Sequence, residues 1–162
     1  MGKVLHSRKN IGKNTITIVI NCPASKVFAF TLDPANTPAW IPSIVREETN
    51  EAAVKIGTEY RNLNAQGVWT TYTLARLEPN RLFEMKQKNS PYHVQYTFRP
   101  IAATKTALTY FEWVDEGELE KPFSRSNLEK LKTVIEKELL KRLKAAQFDR
   151  KAYVIANELI GS

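Results

Sequence analysis

The chain has 162 residues, 43% of them hydrophobic, and a formal net charge of +7, which suits one compact domain that buries roughly 68–70% of its unfolded surface. No stretch approaches the ~20 consecutive apolar residues of a membrane-spanning helix, and the single cysteine, Cys22, excludes an internal disulfide and a multi-cysteine metal site. Because the chain also has only two histidines, we expect no metal and no other cofactor.

The first ten residues, MGKVLHSRKN, lack the apolar core of a secretion signal. We therefore expect a cytoplasmic protein. The opening Met-Gly would suit N-terminal myristoylation, but His6 stands where that motif has Ser or Thr, so this modification is not expected.

The first predicted element is a strand that ends before a proline. Its isoleucines alternate with other residues, which is the period of a strand with one buried face; they are Ile16, Ile18 and Ile20. Pro23 then favours the first turn of a short helix, with Asn21 or Cys22 as its cap.

A second short helix is predicted directly after the first. Asp33 and Pro34 repeat the pairing of a capping residue with a proline. Pro38 and Pro42 flank Trp40 and keep this helix short. The sequence therefore places a large aromatic side chain at a sharp corner of the chain.

The segment INCPASKVFAFTLDPANTPAWIPSI resembles the opening of the START-related superfamily of polyketide cyclase/dehydrase-like proteins, whose fold is shared with the birch-pollen allergen. The shared pattern is a strand, a helix beginning at proline, a Val-Phe pair, an Asp-Pro step and a Trp followed by Pro; here it falls on Pro23, Val27, Phe28, Asp33, Pro34, Trp40 and Pro42. The resemblance continues through Gly57-Thr58, Leu77-Glu78-Pro79 and a final amphipathic helix, so it covers about residues 14–148.

The remaining strands are predicted from alternation and turn residues at 43–49, 57–64, 67–78, 81–88, 92–99 and 105–115. No helical segments separate them, which excludes a parallel sheet because parallel neighbours need crossover connections. Together with the resemblance, this predicts an α+β helix-grip fold. A curved seven-stranded antiparallel sheet would surround a long C-terminal helix in a single domain of residues 1–162.

The last segment contains no glycine or proline between Pro122 and Gly161. Apolar residues recur there at helical spacing, namely Leu128, Leu131, Ile135, Leu139, Leu143 and Ala146. One helix over residues 123–160 would be about 57 Å long, whereas a globule of this size is only about 40 Å across. We therefore expect a break near Phe148-Asp149. Residues 149–162 would then return to the same core or contact another subunit; their apolar members are Tyr153, Ile155, Leu159 and Ile160.

The resemblance implies an internal cavity for a small hydrophobic ligand, lipid-like or aromatic, and we expect a volume of several hundred Å³. Amphipathic and apolar side chains of the strands and helices are the candidates for its lining: Trp40, Tyr60, Trp69, Tyr72, Phe83, Met85, Tyr96, Phe98, Tyr110, Ile135 and Leu139. Alternation predicts that Val94, Tyr96 and Phe98 face inward, as do Phe83 and Met85. In the fourth and seventh strands both faces carry aromatic residues, so their orientation stays open, and ordinary core packing would also explain the rings.

Two residues are candidates for catalysis. Glu112 shares a strand face with Leu108 and Tyr110, so if these face the cavity it could bind a ligand hydroxyl or act as an acid. Because Glu is almost never fully buried unless it is paired, we expect instead a solvated position on the outer face. His93 has the opposite phase to Tyr96 and is expected to point outward. A Cys22–His93 nucleophilic pair would lack a third, orienting group.

Three functions follow from the resemblance: a binding or carrier protein, a cyclase or dehydratase without a cofactor, and a protein-interaction module. Residues 121–151 hold ten Lys or Arg and four acidic residues. The charges are interspersed, as on a solvated helix face, so we expect no nucleic-acid binding. Weak contact with an anionic membrane through this helix stays open, as does the choice between a monomer and a homodimer.

Overall fold

The computed structural model describes residues 12–161. Its elements are β1 (Lys13–Ile20), α1 (Ala24–Leu32), a 3-10 helix (Pro34–Ala39), β2 (Ile44–Thr49), β3 (Glu59–Asn64), β4 (Trp69–Glu78), β5 (Leu82–Gln87), β6 (Tyr92–Ala102), β7 (Lys105–Val114) and α2 (Arg125–Ile160). Within these residues seven strands form one antiparallel sheet in the order β1-β7-β6-β5-β4-β3-β2. The predicted helix-grip fold is confirmed. The N-terminal Met-Gly and His6 lie outside the described residues.

The two short helices lie where the sequence predicted them, but the first has a different cap. Asp33 caps the 3-10 helix, since its Oδ1 accepts a hydrogen bond from the backbone N–H of Ala35 at 3.0 Å. The predicted cap at Asn21 or Cys22 is wrong, because Pro23 itself precedes the first turn of α1 and no side chain caps it. The Asn21 N–H instead donates to Glu136 Oε1 of α2 at 2.8 Å, which ties the end of β1 to the long helix.

The face of the sheet that packs against the helices is called the inner face. The register of the strands shows which residues lie side by side on it. Leu74, Met85, Val94, Glu112 and Asn14 lie directly opposite one another in successive strands. The next row of the inner face contains Phe83, Tyr96, Tyr110 and Ile16. The predicted inward orientation of β5 and β6 is confirmed, since Phe83, Met85, Val94, Tyr96 and Phe98 are all buried.

The first half of α2 closes the core. Leu128, Leu131 and Ile135 are buried, and Leu139 is partly buried against the same core. Their side of the helix contacts β1 and the 3-10 helix. The predicted apolar side of the helix is therefore confirmed as far as Leu139.

The second half of α2 contradicts the predicted break at Phe148-Asp149. The helix continues without interruption to Ile160, and all residues from 141 to 160 are exposed. No returning segment covers the core, and Leu143 and Ala146 of the predicted apolar side are solvent-exposed. A break would be required only if the helix had to stay within the globule. Lys, Arg, Leu and Ala dominate residues 139–146 and favour the helix on their own, so it projects by about 30 Å. Residues 140–160 are called the helical extension below.

Residues 12–161 include no helix that combines the length and the hydrophobicity needed to cross a bilayer. Although α2 is long, charged residues interrupt its apolar positions throughout.

We predict that Ile135→Ala lowers the free energy of unfolding by about 2–5 kcal/mol, because it removes a buried side chain and leaves a cavity. Leu143→Ala is the matched control on the same side of α2: this leucine is exposed, so the loss should stay below about 0.5 kcal/mol. Urea denaturation followed by circular dichroism measures both. Equal losses for the two variants would contradict the assignment of the core to the first half of α2.

Candidate ligand-binding site

Aromatic rings occupy the inner face of the sheet beneath α2. Trp40 meets Tyr96 and Phe123 edge-on, with ring centroids 6.4 and 6.1 Å apart. Phe83 stacks on Tyr96 at 4.5 Å, and Tyr110 stacks on Phe123 at 4.2 Å. Phe123 was not among the predicted site residues, because it lies in the loop before α2 and outside any periodic pattern. It nevertheless joins the rings of the sheet to the corner residue Trp40.

Glu112 lies beside these rings and is only 1% exposed. Its Oε2 accepts hydrogen bonds from Asn14 Nδ2 at 2.8 Å and from the backbone N–H of Phe123 at 2.7 Å. Its Oε1 accepts from the hydroxyl of Tyr92 at 3.0 Å. The expected solvated position on the outer face is therefore wrong. Three donors offset the cost of burying this carboxylate.

Two tyrosine hydroxyls extend the hydrogen bonding from Glu112. The hydroxyls of Tyr92 and Tyr110 are 3.0 Å apart. Tyr92 has one proton and donates it to Glu112, so Tyr110 donates to Tyr92. Burial, and then the negative charge of Glu112, raises the pKa of Tyr92, and burial raises that of Tyr110. Burial also raises the pKa of the neighbouring Tyr72 to about 12. All three hydroxyls are therefore neutral hydrogen-bonding groups at neutral pH.

A second carboxylate, Glu47 of β2, lies toward the other end of the sheet. It accepts a hydrogen bond from the hydroxyl of Thr37 at 2.7 Å, and burial raises its pKa. Glu47 could not be recognised from the sequence, because β2 reads IVREET and shows no clear alternation. Nearby, Tyr60 is 1% exposed and donates to the carbonyl oxygen of Leu32 at 3.0 Å. Tyr60 thereby joins β3 to the end of α1.

An open cleft of about 590 Å³ lies between the inner face of the sheet and the loop that joins β7 to α2. Tyr72, Gln87, Tyr92 and Glu112 contribute to its walls from the sheet, and Phe123 contributes from the residues just before α2. The loop contributes the other wall, with Glu116, Gly117, Glu118, Leu119, Glu120 and Lys121. Of the five charged side chains that line the cleft, four are carboxylates and one is a lysine, so its local charge is opposite to that of the whole protein.

A smaller open cleft of about 240 Å³ lies between α1 and α2. Ile135 and Leu139 line it together with Cys22 and Phe30. Burial raises the pKa of the Cys22 thiol. At neutral pH a smaller fraction of it is therefore the reactive thiolate than in an exposed cysteine. The predicted lining residues thus divide: Tyr72 borders the large cleft, Ile135 and Leu139 border the small one, and Trp40, Phe83, Tyr96 and Tyr110 form the aromatic interior.

Two predicted residues lie on the outer face of the sheet. Trp69 is 40% exposed, and the guanidinium carbon of Arg61 lies 4.4 Å from its ring centroid. Because Trp69 is three residues from the inward Tyr72, the alternation of β4 turns it outward, and its assignment to a cavity lining is wrong. His93 points outward as predicted: its ring stacks on Trp113 at 4.6 Å, and its Nε2 is 2.8 Å from Asp115 Oδ2.

The proposed Cys22–His93 pair does not form. The carbonyl oxygen of Cys22 accepts from Thr106 at one end of β7, whereas His93 lies opposite Trp113 near the other end. These two positions of β7 are about 23 Å apart along an extended strand. Within residues 12–161, no group of three or more His, Cys, Asp or Glu side chains is placed to hold a metal ion.

One buried donor on the inner face lacks a partner. Trp40 is 2% exposed, and its Nε1–H meets no acceptor within the part of the chain that the structure describes. A buried N–H without a partner costs about 1–3 kcal/mol. An acceptor atom of a water molecule or a ligand that reached the aromatic interior would remove this cost.

The geometry is that of a helix-grip protein with an open cleft, an aromatic interior and hydrogen-bonding groups between them. A family model described as "Polyketide cyclase / dehydrase and lipid transport" matches residues 12–147. The chain therefore belongs to this family, which confirms the predicted resemblance. The match ends within the helical extension and leaves residues 148–160 of α2 outside it.

Solved structures share the fold at low sequence identity. Protein MLL2253 from Mesorhizobium loti is 14% identical with a TM-score of 0.60, over 76% of this chain and 98% of that one. Protein CV1439 from Chromobacterium violaceum is 16% identical with a TM-score of 0.57, over 77% and 97%. The di-domain ARO/CYC BexL from the BE-7585A biosynthetic pathway is 17% identical with a TM-score of 0.54, over 63% of this chain but only 35% of that one. Among curated proteins, none matches.

We predict that Glu112→Gln destabilises the fold by about 1–3 kcal/mol, because the amide nitrogen cannot accept the hydrogen bonds that the carboxylate accepts. Glu120→Gln is the matched control, since Glu120 is an exposed residue of the cleft rim, and its effect should stay within about 0.5 kcal/mol. Urea denaturation at neutral pH compares them. A loss below about 0.5 kcal/mol for Glu112→Gln would mean that these hydrogen bonds do not hold the loop and α2 in place.

Proposed function

We propose that this protein binds a small, largely apolar and uncharged ligand that carries a hydroxyl or carbonyl group, with the large cleft as its entrance. The observation that carries this proposal is the hydrogen-bonded series Tyr110–Tyr92–Glu112 at the cleft, beside the aromatic interior. Ligand pockets combine apolar walls with a few well-placed polar groups in this way. The rings supply apolar contact area, and their hydroxyls supply orientation.

Two further observations support a ligand of this kind. The cleft volume of about 590 Å³ lies within the range of small-molecule sites. The unpaired Nε1–H of Trp40 adds a donor in the interior that a ligand carbonyl or hydroxyl would satisfy. A ligand that entered past Tyr72 and Tyr92 would thus meet the hydroxyl oxygen of Tyr92 as an acceptor, the Nε1–H of Trp40 as a donor and the rings of the aromatic interior.

The charges around the cleft favour a neutral ligand over an anionic one. Glu112, Glu116, Glu118 and Glu120 outnumber Lys121 among the lining residues. An anionic headgroup would approach four carboxylates and only one cation, and like-charge contact at a binding surface costs affinity. This limits the lipid-like ligands suggested by the family resemblance to alcohols, esters, amides or sterol-like molecules.

Catalysis by a cyclase or dehydratase is the second candidate, favoured by the description of the family. General acid–base catalysis works best when the pKa of the catalytic group lies near the working pH. Burial raises the pKa values of Tyr92 and Tyr110, which moves them away from neutrality. Both oxygens of Glu112 already accept hydrogen bonds, and His93 faces away from the cleft. Conversion of an aromatic polyketide analogue that Glu112→Gln abolishes would place the enzyme first.

Removal of one hydroxyl tests the ligand site. We predict that Tyr92→Phe weakens binding of 2-naphthol by a factor of about 2–10, the effect of losing one hydrogen bond, while ring contact is kept. Tyr153→Phe removes a hydroxyl from the exposed extension and is the matched control with unchanged affinity. Isothermal titration calorimetry measures the affinity, and native mass spectrometry of the purified protein detects a co-purified ligand. Equal affinities of the two variants would contradict the site.

The charge preference gives a separate test. We predict that 2-naphthol binds at least about tenfold more tightly than 2-naphthoate at neutral pH, which corresponds to ~1.4 kcal/mol. Replacing Glu116, Glu118 and Glu120 together by Gln should reduce this difference, since most of the repulsion then disappears. Tighter binding of 2-naphthoate than of 2-naphthol to the unmodified protein would show that the acidic residues of the cleft do not select the ligand.

A further inference from the structure

The helical extension exposes many apolar side chains. Eight large apolar side chains on it have about half or more of their surface exposed: Leu140, Leu143, Phe148, Tyr153, Val154, Ile155, Leu159 and Ile160. Soluble monomers rarely leave contiguous apolar patches of more than a few hundred Å² in contact with water. The distal part also lies beyond residues 12–147, over which the family model matches, so it is an addition to the family domain.

Four of the residues beyond this match lie on one side of the helix. Phe148, Ala152, Ile155 and Leu159 are spaced by four, three and four residues, which is the spacing of the a and d positions of a coiled coil. This set is called the distal stripe. At 100° per residue, Phe148 lies about 140° around the helix from the buried Ile135. The distal stripe therefore points away from the side of α2 that packs on the domain.

We propose that the distal stripe is a dimerisation surface, on which the α2 of a second copy of this chain packs antiparallel about a two-fold axis. In this arrangement Phe148 lies opposite the partner's Leu159, and Ala152 lies opposite the partner's Ile155. Each pair occurs twice, because a two-fold interface uses the same surface on both copies. The small Ala152 leaves room for the branched side chain that faces it, so the two helices can approach closely.

The charges beside the distal stripe fit this orientation. When the stripe residues are assigned to a and d, Lys151 and Glu158 both occupy g positions, and g positions of antiparallel helices face each other. Lys151 then lies beside the partner's Glu158, and the symmetry repeats this ion pair. In a parallel pair Lys151 would face the partner's Ala156 instead. The antiparallel arrangement is thus the one that places opposite charges together.

The same charges argue against an anionic membrane as the occupant. Residues 148–160 contain Asp149 and Glu158 against Arg150 and Lys151, so this apolar segment has no net charge. The basic excess of α2 lies before Phe148. Helices that bind anionic lipid surfaces need basic side chains on the polar face of the apolar segment itself.

Sedimentation equilibrium of the full chain, measured at several different protein concentrations in the micromolar range, tests the proposal. We expect a concentration-dependent dimer. Ile155→Asp should raise its dissociation constant by about 100-fold or more, since the pair would bury an unpaired carboxylate. Val154→Asp is the matched control: it places the same charge on a neighbouring exposed, β-branched position outside the stripe, and the dissociation constant should change by no more than about twofold. Urea denaturation should show an unchanged domain in both variants, because neither residue contacts the core.

Charge exchange tests the orientation. Lys151→Glu alone and Glu158→Lys alone should each weaken the dimer several-fold, and the double variant should restore it. Single variants without effect would overturn the antiparallel pairing. A protein that is monomeric at every concentration, or a dimer insensitive to Ile155→Asp, would overturn the whole proposal. Flotation of the monomeric protein with phosphatidylserine vesicles would assign the stripe to membranes instead.

Discussion

The buried carboxylate of Glu112 is the interaction on which the arrangement of the site depends. It joins four segments of the chain: its own strand β7, Asn14 of β1, Tyr92 of β6 and the backbone of Phe123 in the loop just before α2. The bond to Phe123 fixes where the loop ends and the long helix begins, and it holds the Phe123 ring against Tyr110 and Trp40. The loop that forms one wall of the cleft is thereby anchored at both ends. A hydrophobic residue at position 112 would fill the space but could not accept these bonds, so the backbone N–H of Phe123 would lose its acceptor.

Burying a carboxylate is costly, and buried polar groups are weak evidence for stability in themselves. Here the cost is offset by three donors, and the arrangement keeps the hydroxyl of Tyr92 in one orientation at the cleft. Because burial raises the pKa values of Tyr92, Tyr110 and Tyr72, these residues stay neutral over the physiological range and can hydrogen-bond without carrying charge. Such groups orient an uncharged ligand well and transfer protons poorly. For this physical reason the site favours ligand binding over catalysis as the proposed function.

The fold could be predicted from the sequence because its determinants are local. Alternation placed the strands of the sheet and the inward side of β6, and the Asp33-Pro34 pair marked the 3-10 helix. The site was only partly predictable. Glu112 is buried by a partner 98 residues away in the chain and by a backbone N–H, neither of which any pattern around residue 112 reveals. Trp69 was misassigned because both faces of β4 carry aromatic residues, and only the register with β3 shows that it lies on the same face as Arg61. The predicted break in α2 was wrong for a different reason: local helix propensity keeps the helix continuous, although it then extends beyond the globular domain.

The continuous helix also separates the cleft from the distal stripe, two surfaces whose roles the sequence alone did not reveal. The cleft lies at the start of α2, beside Phe123, and the distal stripe begins at Phe148, about 38 Å further along the helix axis. A second copy bound at the distal stripe would therefore leave the cleft open to ligand, because the two surfaces lie on separate parts of one continuous helix. Coupling between two sites requires an element with two arrangements that both sites favour differently. An uninterrupted helix packed on the core through Leu128, Leu131 and Ile135 offers no such element. The proposed ligand binding and the proposed dimerisation should therefore be independent of each other, so that a variant of the distal stripe tests one and a variant of Tyr92 tests the other.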